Sequence, residues 1–244
     1  MSLLVLDNVD AFYGRLQALR SLTLEVGEGE VVGILGPNGS GKTTTLRAIS
    51  GLVRTTGRIE LRGRSLAHLP ADAIARAGIA HVPEGRGTFP QLSTRENLAV
   101  AASARVRGRR AVRRAVDDVL THVPQLAEHL DRPAELLSGG QQQLLAIGRG
   151  LLLNPSLLMV DEPTLGLAPK LAQELIAHLR RLQQEVGFSV LLVEQNAALA
   201  LGVTDRVYVL DNGAAVEAAE ASSISVEGLS RRYLGTSVTS SVEL

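Results

Sequence analysis

The chain has 244 residues, with 25 Lys and Arg against 25 Asp and Glu, a formal net charge of zero, and no cysteine. A balanced charge gives no whole-chain attraction for nucleic acid or anionic lipid. The lack of cysteine excludes disulfides, thiolate catalysis and Cys-ligated zinc. No apolar run reaches the roughly 18 residues that a membrane span needs. We therefore expect a chain that folds in water, or one peripheral to a separate membrane protein, with no nucleic-acid partner.

Short runs rich in Val, Leu and Ile, bounded by Gly, Asp or Asn, alternate along the chain with segments of helical length. Such runs predict strands, and their alternation with helices favours an α/β fold with a mostly parallel sheet covered on both faces. Helices are predicted over 42–50 and Lys170 to Glu185. The predicted strands are Leu3–Leu6, Leu22–Val26, Val31–Leu35, Arg58–Leu61, Leu157–Val160, Ser189–Val193 and Val207–Leu210.

The segment from Ser93 to about Leu136 carries helical patterning and no strand signal. Ser93 and Glu96 have the spacing of a capping box, in which each residue binds the other's backbone N–H at a helix start. We predict one domain over 1–235, with a helical lobe inserted at about 90–155. The stretch 216–235 fits a final helix, and the polar residues 236–244 are expected to form a flexible tail.

The most specific motif is "GPNGSGKTT", which fits G-x-x-x-x-G-K-[ST] between a predicted strand and a predicted helix. Glycines let successive backbone N–H groups turn toward phosphate oxygens, and the helix adds its positive N-terminal end. Lys42 is expected to neutralise the β and γ phosphates of ATP, and the Thr43 hydroxyl to bind Mg²⁺. The predicted nucleotide-binding residues are Gly36, Pro37, Asn38, Gly39, Ser40, Gly41, Lys42, Thr43 and Thr44.

Two acids, Asp161 and Glu162, end the apolar run of "LLMVDEP". A strand that ends in two acids places both at the carboxyl edge of the sheet, where open α/β sheets bind ligands. Asp161 is expected to bind the magnesium, and Glu162 to activate a water in line with the γ-phosphate. The alternative is a solvated acid pair before a proline turn, which the phosphate loop makes the weaker interpretation.

A second predicted phosphate-binding loop, "LSGGQ", begins at Leu137 ahead of an amphipathic helix. The two glycines and the Ser138 hydroxyl leave a helix N-terminus free to bind an anion. With "GPNGSGKT" and "LLMVDEP", this motif makes the chain resemble the ATP-binding-cassette (ABC) ATPases from about residue 2 to residue 235. The motif residues that this resemblance assigns to nucleotide binding are Ser138, Gly139, Gly140 and Gln141.

The resemblance implies a P-loop NTPase core, an N-terminal antiparallel β subdomain and an inserted helical lobe. It also implies a dimer in which the "LSGGQ" loop of one subunit closes over the ATP held by the other. Tyr13 matches the aromatic that stacks on adenine, although a lone tyrosine is also often a half-buried strand residue.

Two positions depart from the usual ABC pattern. Glu84 stands where most relatives have a glutamine that binds magnesium, and Gln195 stands where most have a histidine that contacts the γ-phosphate. A carboxylate still binds a hard cation, and an amide still donates to phosphate, but an amide does not titrate near pH 7. The resemblance implies Lys42, Glu162 and Gln195 as catalytic residues, and Thr43, Asp161 and Glu84 as metal ligands.

The segments "VPEGR", "FPQLSTRENL", "EPTLGLAP" and "LLVEQNAALAL" resemble the second ATPase subunit of branched-chain and hydrophobic amino acid importers. That resemblance implies a sister ATPase or a homodimer, two membrane permeases, an external solute-binding protein, and a peripheral position on the cytoplasmic face of the membrane. A urea or amide importer and an exporter remain alternatives, and a soluble non-transport ABC ATPase fits less well. The arginine-rich run 105–114 is interpreted as a solvated helix face, with lipid headgroups as the alternative.

Overall fold

The structure of the chain is a computed structural model that describes residues 1–229. Its strands form two sheets, one of four strands and one of six. In chain order the strands are β1 (Ser2–Tyr13), β2 (Leu16–Gly27), β3 (Val31–Leu35), β4 (Arg54–Leu61), β5 (Arg64–Ser65), β6 (Ile79–Val82), β7 (Leu157–Asp161), β8 (Ser189–Val193), β9 (Arg206–Asp211) and β10 (Ala214–Glu220).

The smaller sheet is antiparallel, in the order β2-β1-β4-β5. Its long strands alternate buried apolar and exposed polar side chains, which is the pattern of a sheet with one covered face. Leu4, Leu6 and Val9 of β1 are fully buried on that face. This sheet is the N-terminal antiparallel β subdomain that the resemblance implies.

The larger sheet has the order β10-β9-β3-β8-β7-β6. Neighbouring strands from β9 to β6 are parallel, and β10 adds an antiparallel edge. Every residue of β3, β7 and β8 is buried, because both faces are covered. In β7, Leu157 and Met159 pack toward the antiparallel sheet, whereas Leu158 and Val160 pack toward the helices. The predicted α/β fold class is confirmed.

Helices cover the larger sheet and form the lobe between β6 and β7. Three of them, α3, α4 and α5, belong to the lobe, and their apolar residues join the core on one face of the sheet. The predicted capping box of Ser93 and Glu96 is confirmed at the start of α3. The helices are α1 (Lys42–Ile49), α2 (Ala71–Arg76), α3 (Thr94–Ser103), α4 (Arg109–His122), α5 (Gly139–Leu151), α6 (Pro169–Val186), α7 (Ala197–Leu201) and α8 (Val226–Leu229).

The prediction of a helix over 216–235 is wrong for its first residues, which belong to β10. Alanine and glutamate favour helix, but this segment pairs with β9 at the open edge of the sheet, so tertiary pairing overrides the local preference. Residues 230–235 and the predicted tail 236–244 lie outside the described residues. Between residues 1 and 229, no helix is long and apolar enough to cross a membrane.

Candidate functional site

The carboxyl ends of β3, β8, β7 and β6 lie side by side, and each ends in a predicted site segment. Since these strands are parallel neighbours, the phosphate loop after β3, Gln195, Glu162 and Glu84 meet at one edge of the sheet. They line a cavity of about 610 Å³. Its walls are Leu16, Gln17, Ala18, Arg20, Asn38, Gly39, Gly41, Lys42, Thr43, Thr44, Glu84, Glu162, Leu165, Gln195 and Asn212.

The phosphate loop curls back on Lys42, the first residue of α1. The Lys42 ammonium donates to the carbonyl oxygens of Gly36 at 2.9 Å and Pro37 at 3.2 Å. Gly36 has φ 152°, and a Cβ there would lie 2.3 Å from the Leu210 carbonyl oxygen, so only glycine fits. The Ser40 hydroxyl is buried, and in the part of the chain that the structure describes it has no hydrogen-bond partner. The loop therefore places the Lys42 side chain and the N-terminus of α1 at the cavity wall, an arrangement suited to phosphate binding.

Asp161 is buried against the loop at the end of β7. Its Oδ1 accepts a hydrogen bond from the Thr43 hydroxyl at 3.3 Å, whereas Oδ2 has no hydrogen-bond partner among residues 1–229. Burial raises the pKa of Asp161 to about 6, against the opposing effect of the Thr43 hydrogen bond. A buried carboxylate oxygen without a partner, beside a hydroxyl, fits the oxygen ligands that Mg²⁺ prefers. Glu84 is exposed on the wall of the same cavity.

Within residues 1–229, no group of three or more His, Asp or Glu side chains forms a metal site of its own. The predicted ligands Thr43, Asp161 and Glu84 are one hydroxyl and two carboxylates. Mg²⁺ is commonly bound through one or two carboxylates together with substrate phosphates. This donor set therefore fits a metal that the nucleotide helps to hold.

Glu162 faces the same loop from a strained backbone. Its φ is 43°, in the left-handed region that few residues other than glycine adopt. Its backbone N–H donates to the Val193 carbonyl oxygen at 2.9 Å, and its Oε1 lies 3.4 Å from the Lys42 ammonium nitrogen. Such strain persists where surrounding contacts hold it, and it often marks functional residues. The strand end thus holds the carboxylate against the phosphate loop.

The end of β8 carries two polar residues, of which the sequence analysis identified one. Gln195 is exposed on the cavity wall. Its neighbour Glu194 is buried, and its Oε1 accepts hydrogen bonds from the Thr164 hydroxyl at 2.8 Å and the Thr164 N–H at 3.2 Å. Burial raises the pKa of Glu194, which these hydrogen bonds oppose. Glu194 thus attaches the segment after Glu162 to the end of β8, next to Gln195. Its position at the end of a predicted strand was the sequence signal that could have identified it.

Tyr13 lies beside α1 and is not one of the residues that line the cavity. Its hydroxyl accepts a hydrogen bond from Arg47 at 3.2 Å and lies 3.5 Å from the Thr44 hydroxyl oxygen. The side chain remains 39% exposed, so part of the ring is open to solvent. The walls on this side come from the start of β2, at Leu16, Gln17 and Ala18.

The "LSGGQ" segment lies apart from the cavity walls, on the helical lobe. The prediction placed its glycines ahead of the helix, but α5 begins at Gly139. Ser138 is the N-cap, since its hydroxyl accepts from the Gln141 N–H at 3.3 Å and the Gln141 Oε1 accepts from the Ser138 N–H at 2.9 Å. The two hydrogen bonds of this capping box span the first turn of α5, which contains both glycines. Ser138 is exposed and Gly139 to Gln141 are half-buried, so the segment is a capped helix start at the surface of the lobe.

Comparison with known proteins identifies the family to which these motifs belong. The family model described as ABC transporter matches residues 19–165. The chain belongs to the ABC transporter family. BraG of Pseudomonas aeruginosa, named as a high-affinity branched-chain amino acid transport ATP-binding protein, is 43% identical over 212 residues, which cover 86% of this chain and 90% of BraG.

A second member of the ABC transporter family is more distant. It is the probable branched-chain amino acid transport ATP-binding protein LivF of Archaeoglobus fulgidus, 34% identical over 206 residues that cover 84% of this chain and 86% of LivF. The ATP-binding cassette MJ0796, solved as a post-hydrolysis dimer with ADP and Pi, superposes with a TM-score of 0.79 at 28% identity. That match covers 89% of this chain and 98% of MJ0796.

Proposed function

We propose that this chain is the ATP-hydrolysing subunit that powers the import of branched-chain and other hydrophobic amino acids through separate permeases. The observation that carries the proposal is the 43% identity to BraG over 86% of the chain. The cavity supports the activity, because the phosphate loop and a strand-end glutamate line it and a buried aspartate contacts the Thr43 hydroxyl of that loop. The resemblance of "VPEGR" and "LLVEQNAALAL" favours the second of the two ATPase subunits.

Each side chain at the cavity has a defined part in hydrolysis. Lys42 neutralises the phosphate oxygens, and Glu162 accepts the proton of the attacking water. Thr43 and Asp161 would hold Mg²⁺, which would supply positive charge to the phosphates. Glu84 would bring a second carboxylate to that metal from the wall of the same cavity, and Gln195 donates its amide to phosphate without titrating near pH 7. The two departures from the usual pattern slow hydrolysis and do not abolish it.

The position of the "LSGGQ" segment supports a two-subunit site. Ser138 to Gln141 lie outside the walls of the cavity in their own subunit, so they are available to close over the nucleotide of a second ATPase. That subunit is a sister ATPase or a second copy of this chain. The other partners of this chain are two membrane permeases and an external solute-binding protein. These partners place this chain peripherally on the cytoplasmic face of the membrane.

Phosphate release by the purified chain, with the subunits that associate with it, tests the activity. We expect Mg²⁺-dependent hydrolysis of ATP that EDTA removes. Asp161→Asn keeps the shape of the side chain and removes its charge, so it is expected to raise the Mg²⁺ concentration at half-maximal rate by about tenfold or more. Hydrolysis that is independent of Mg²⁺ and unchanged by Asp161→Asn would refute the assignment.

A further inference from the structure

The loop after β6, which carries Glu84, is held on the helical lobe by side-chain contacts. Arg86 donates a hydrogen bond from Nη1 to the Oε1 of Gln142, in the second turn of α5. Arg149, on the same helix, donates to the Gly87 carbonyl oxygen. Two residues of α5 therefore contact the loop within three residues of Glu84.

A second set of contacts fixes the far end of the loop. The Phe89 N–H donates to the Oδ1 of Asn97 at 2.8 Å, and the Phe89 carbonyl oxygen accepts from the Nδ2 of the same side chain at 2.9 Å. Asn97 is fully buried in α3. The Arg149 guanidinium also lies 4.7 Å from the centroid of the Phe89 ring. The loop is thus attached to α3 as well as to α5, and Glu84 is the part that faces the cavity.

The contact of Gln142 with Arg86 has a fixed orientation. The Nε2 of Gln142 donates to the carbonyl oxygens of Ala134 at 3.0 Å and Leu137 at 3.1 Å. Since both of those groups only accept hydrogen bonds, the amide nitrogen faces them and the amide oxygen faces Arg86. Leu137 immediately precedes Ser138, so Gln142 links the guanidinium to the backbone that leads into the "LSGGQ" segment.

Arg86 also lies against the first residue of α5. A Cβ built on Gly139 would lie 3.3 Å from the Nη2 of Arg86 and 3.0 Å from the Cδ2 of Leu167. Three segments therefore meet at Gly139: the loop of Glu84, the "LSGGQ" segment, and the segment that follows Glu162. The missing side chain of Gly139 permits the guanidinium to approach this closely.

The backbone of Arg86 is held in a conformation that arginine rarely adopts. Its φ is 73°, between Gly85 at 76° and Gly87 at 58°. Glycine reaches the left-handed region at no steric cost, but an arginine there is strained. A strained residue persists where its side chain is fixed by surrounding contacts, and at Arg86 those contacts are Gln142 and Gly139.

We propose that Arg86 is a positioning residue that couples Glu84, at the nucleotide cavity, to the "LSGGQ" segment of the same subunit. Movement of the Glu84 loop carries the start of α5 with it through the Arg86–Gln142 hydrogen bond. Arg86 thereby sets where Ser138 and Gln141 lie when they close over the second subunit's nucleotide. This inference rests on the proposed ATPase function.

The test compares Arg86→Ala, Arg86→Lys, Gln142→Ala and the Arg86→Ala/Gln142→Ala double variant with the wild-type protein, purified with its associated subunits. Arg95→Ala is the matched control, because Arg95 is a half-exposed arginine of the same lobe, paired only with Asp131. Each protein is assayed for the kcat and KM of ATP hydrolysis, for the Kd of a fluorescent ATP analogue, and for Tm.

The expected result is a kcat lowered by about tenfold or more in Arg86→Ala and Gln142→Ala, which matches the loss of one charge-assisted hydrogen bond. The analogue Kd stays at the wild-type value in both variants, because the phosphate loop is untouched. The Tm stays at the wild-type value in Arg86→Ala, whereas Gln142→Ala, which also loses the hydrogen bonds to the Ala134 and Leu137 carbonyl oxygens, has a lower Tm. The double variant is no slower than the slower single variant, since both changes break one link. Arg86→Lys, which keeps the charge but not the planar fork, recovers part of the rate.

Three results would overturn the inference. They are a wild-type kcat in Arg86→Ala, losses that multiply in the double variant, and a loss of analogue binding as large as the loss of kcat. If Arg86→Ala does not fold, Arg86→Lys and Gln142→Ala carry the same comparison. Failure of the proposed function has a separate signature, in which Lys42→Ala hydrolyses ATP as fast as wild type.

Discussion

The Lys42 ammonium nitrogen lies 3.4 Å from the Oε1 of Glu162. The two groups come from different strand ends, Lys42 after β3 and Glu162 after β7, and they face each other at the wall of one cavity. Lys42 also contacts the carbonyl oxygens of its own loop. The charge that we propose neutralises phosphate and the carboxylate that we propose activates water are therefore adjacent.

Glu162→Gln keeps the size of the side chain and removes its basicity. We expect kcat to fall by about 10²–10⁴-fold, which corresponds to roughly 3–5 kcal/mol of barrier. The Kd of a fluorescent ATP analogue should stay within about threefold of wild type, because the phosphate loop keeps all its groups. Single-turnover hydrolysis together with equilibrium binding measures both quantities. A kcat that falls by less than tenfold would show that another group activates the water.

Gln195→His tests whether the residue after β8 reaches the phosphates. Imidazole titrates near pH 6.5 and amide does not, so we expect a changed kcat and a new dependence of the rate on pH between about 5.5 and 7.5. The measurement is steady-state hydrolysis across that range, with wild type as the control. A variant with the wild-type rate at every pH would count against a phosphate contact at Gln195.

The ring and the hydroxyl of Tyr13 make separable contributions. Tyr13→Ala should weaken ATP binding by about 1–3 kcal/mol if the ring stacks on adenine. Tyr13→Phe keeps the ring and loses the hydroxyl contacts with Arg47 and Thr44, so its affinity for ATP should remain near wild type. Titration calorimetry with ATP distinguishes the two. Equal losses in both variants would assign the effect to the hydroxyl contacts and not to stacking.

His81 makes the stability of the domain depend on pH. Burial, helped by the positive charge of Arg47, lowers the pKa of His81 from 6.5 to about 4. Between these values the unfolded chain binds a proton that the folded chain does not. We therefore expect the contribution of His81 to the free energy of unfolding to be greatest above pH 6.5 and to fall as the pH drops toward 4, by on the order of 3 kcal/mol.

His81→Asn removes this titrating ring and keeps a polar group near the Ser50 hydroxyl, which lies 3.0 Å from the His81 Nδ1. Denaturant unfolding at pH 7, 6, 5 and 4 compares the two proteins. The variant should lose less stability than wild type over this interval. Parallel curves for the two proteins would mean that His81 titrates normally in the folded state.

Local signals predicted much of the fold. The bounds of β3 and β8 match the prediction because their apolar runs are buried on both faces and end at glycine or at polar residues. The capping box at Ser93 depends on a residue three positions away, so it too is readable from a short segment. The short α2, β5 and β6 were not predicted, since their few residues carry too little periodicity.

The remaining features depend on contacts between distant parts of the chain. The segment that forms β10 is rich in alanine and glutamate, and only its pairing with β9 makes it a strand. Arg86 and Gln142 are 56 positions apart, and nothing near either residue indicates the other. The strand-end residues Asp161, Glu162 and Gln195 were identified because motif spacing and sheet topology together place them at one edge.

Uptake of labelled leucine, valine, alanine, glutamate and urea by cells that carry Lys42→Ala tests the central claim most directly. Lysine 42 contacts the phosphate loop, and the chain's other lysine, the exposed Lys170, supplies the matched control Lys170→Ala. We predict that Lys42→Ala abolishes uptake of leucine and valine, whereas Lys170→Ala leaves it at the wild-type rate. Unchanged uptake of all five solutes in Lys42→Ala cells would contradict the account, and loss of urea uptake alone would contradict the assigned cargo.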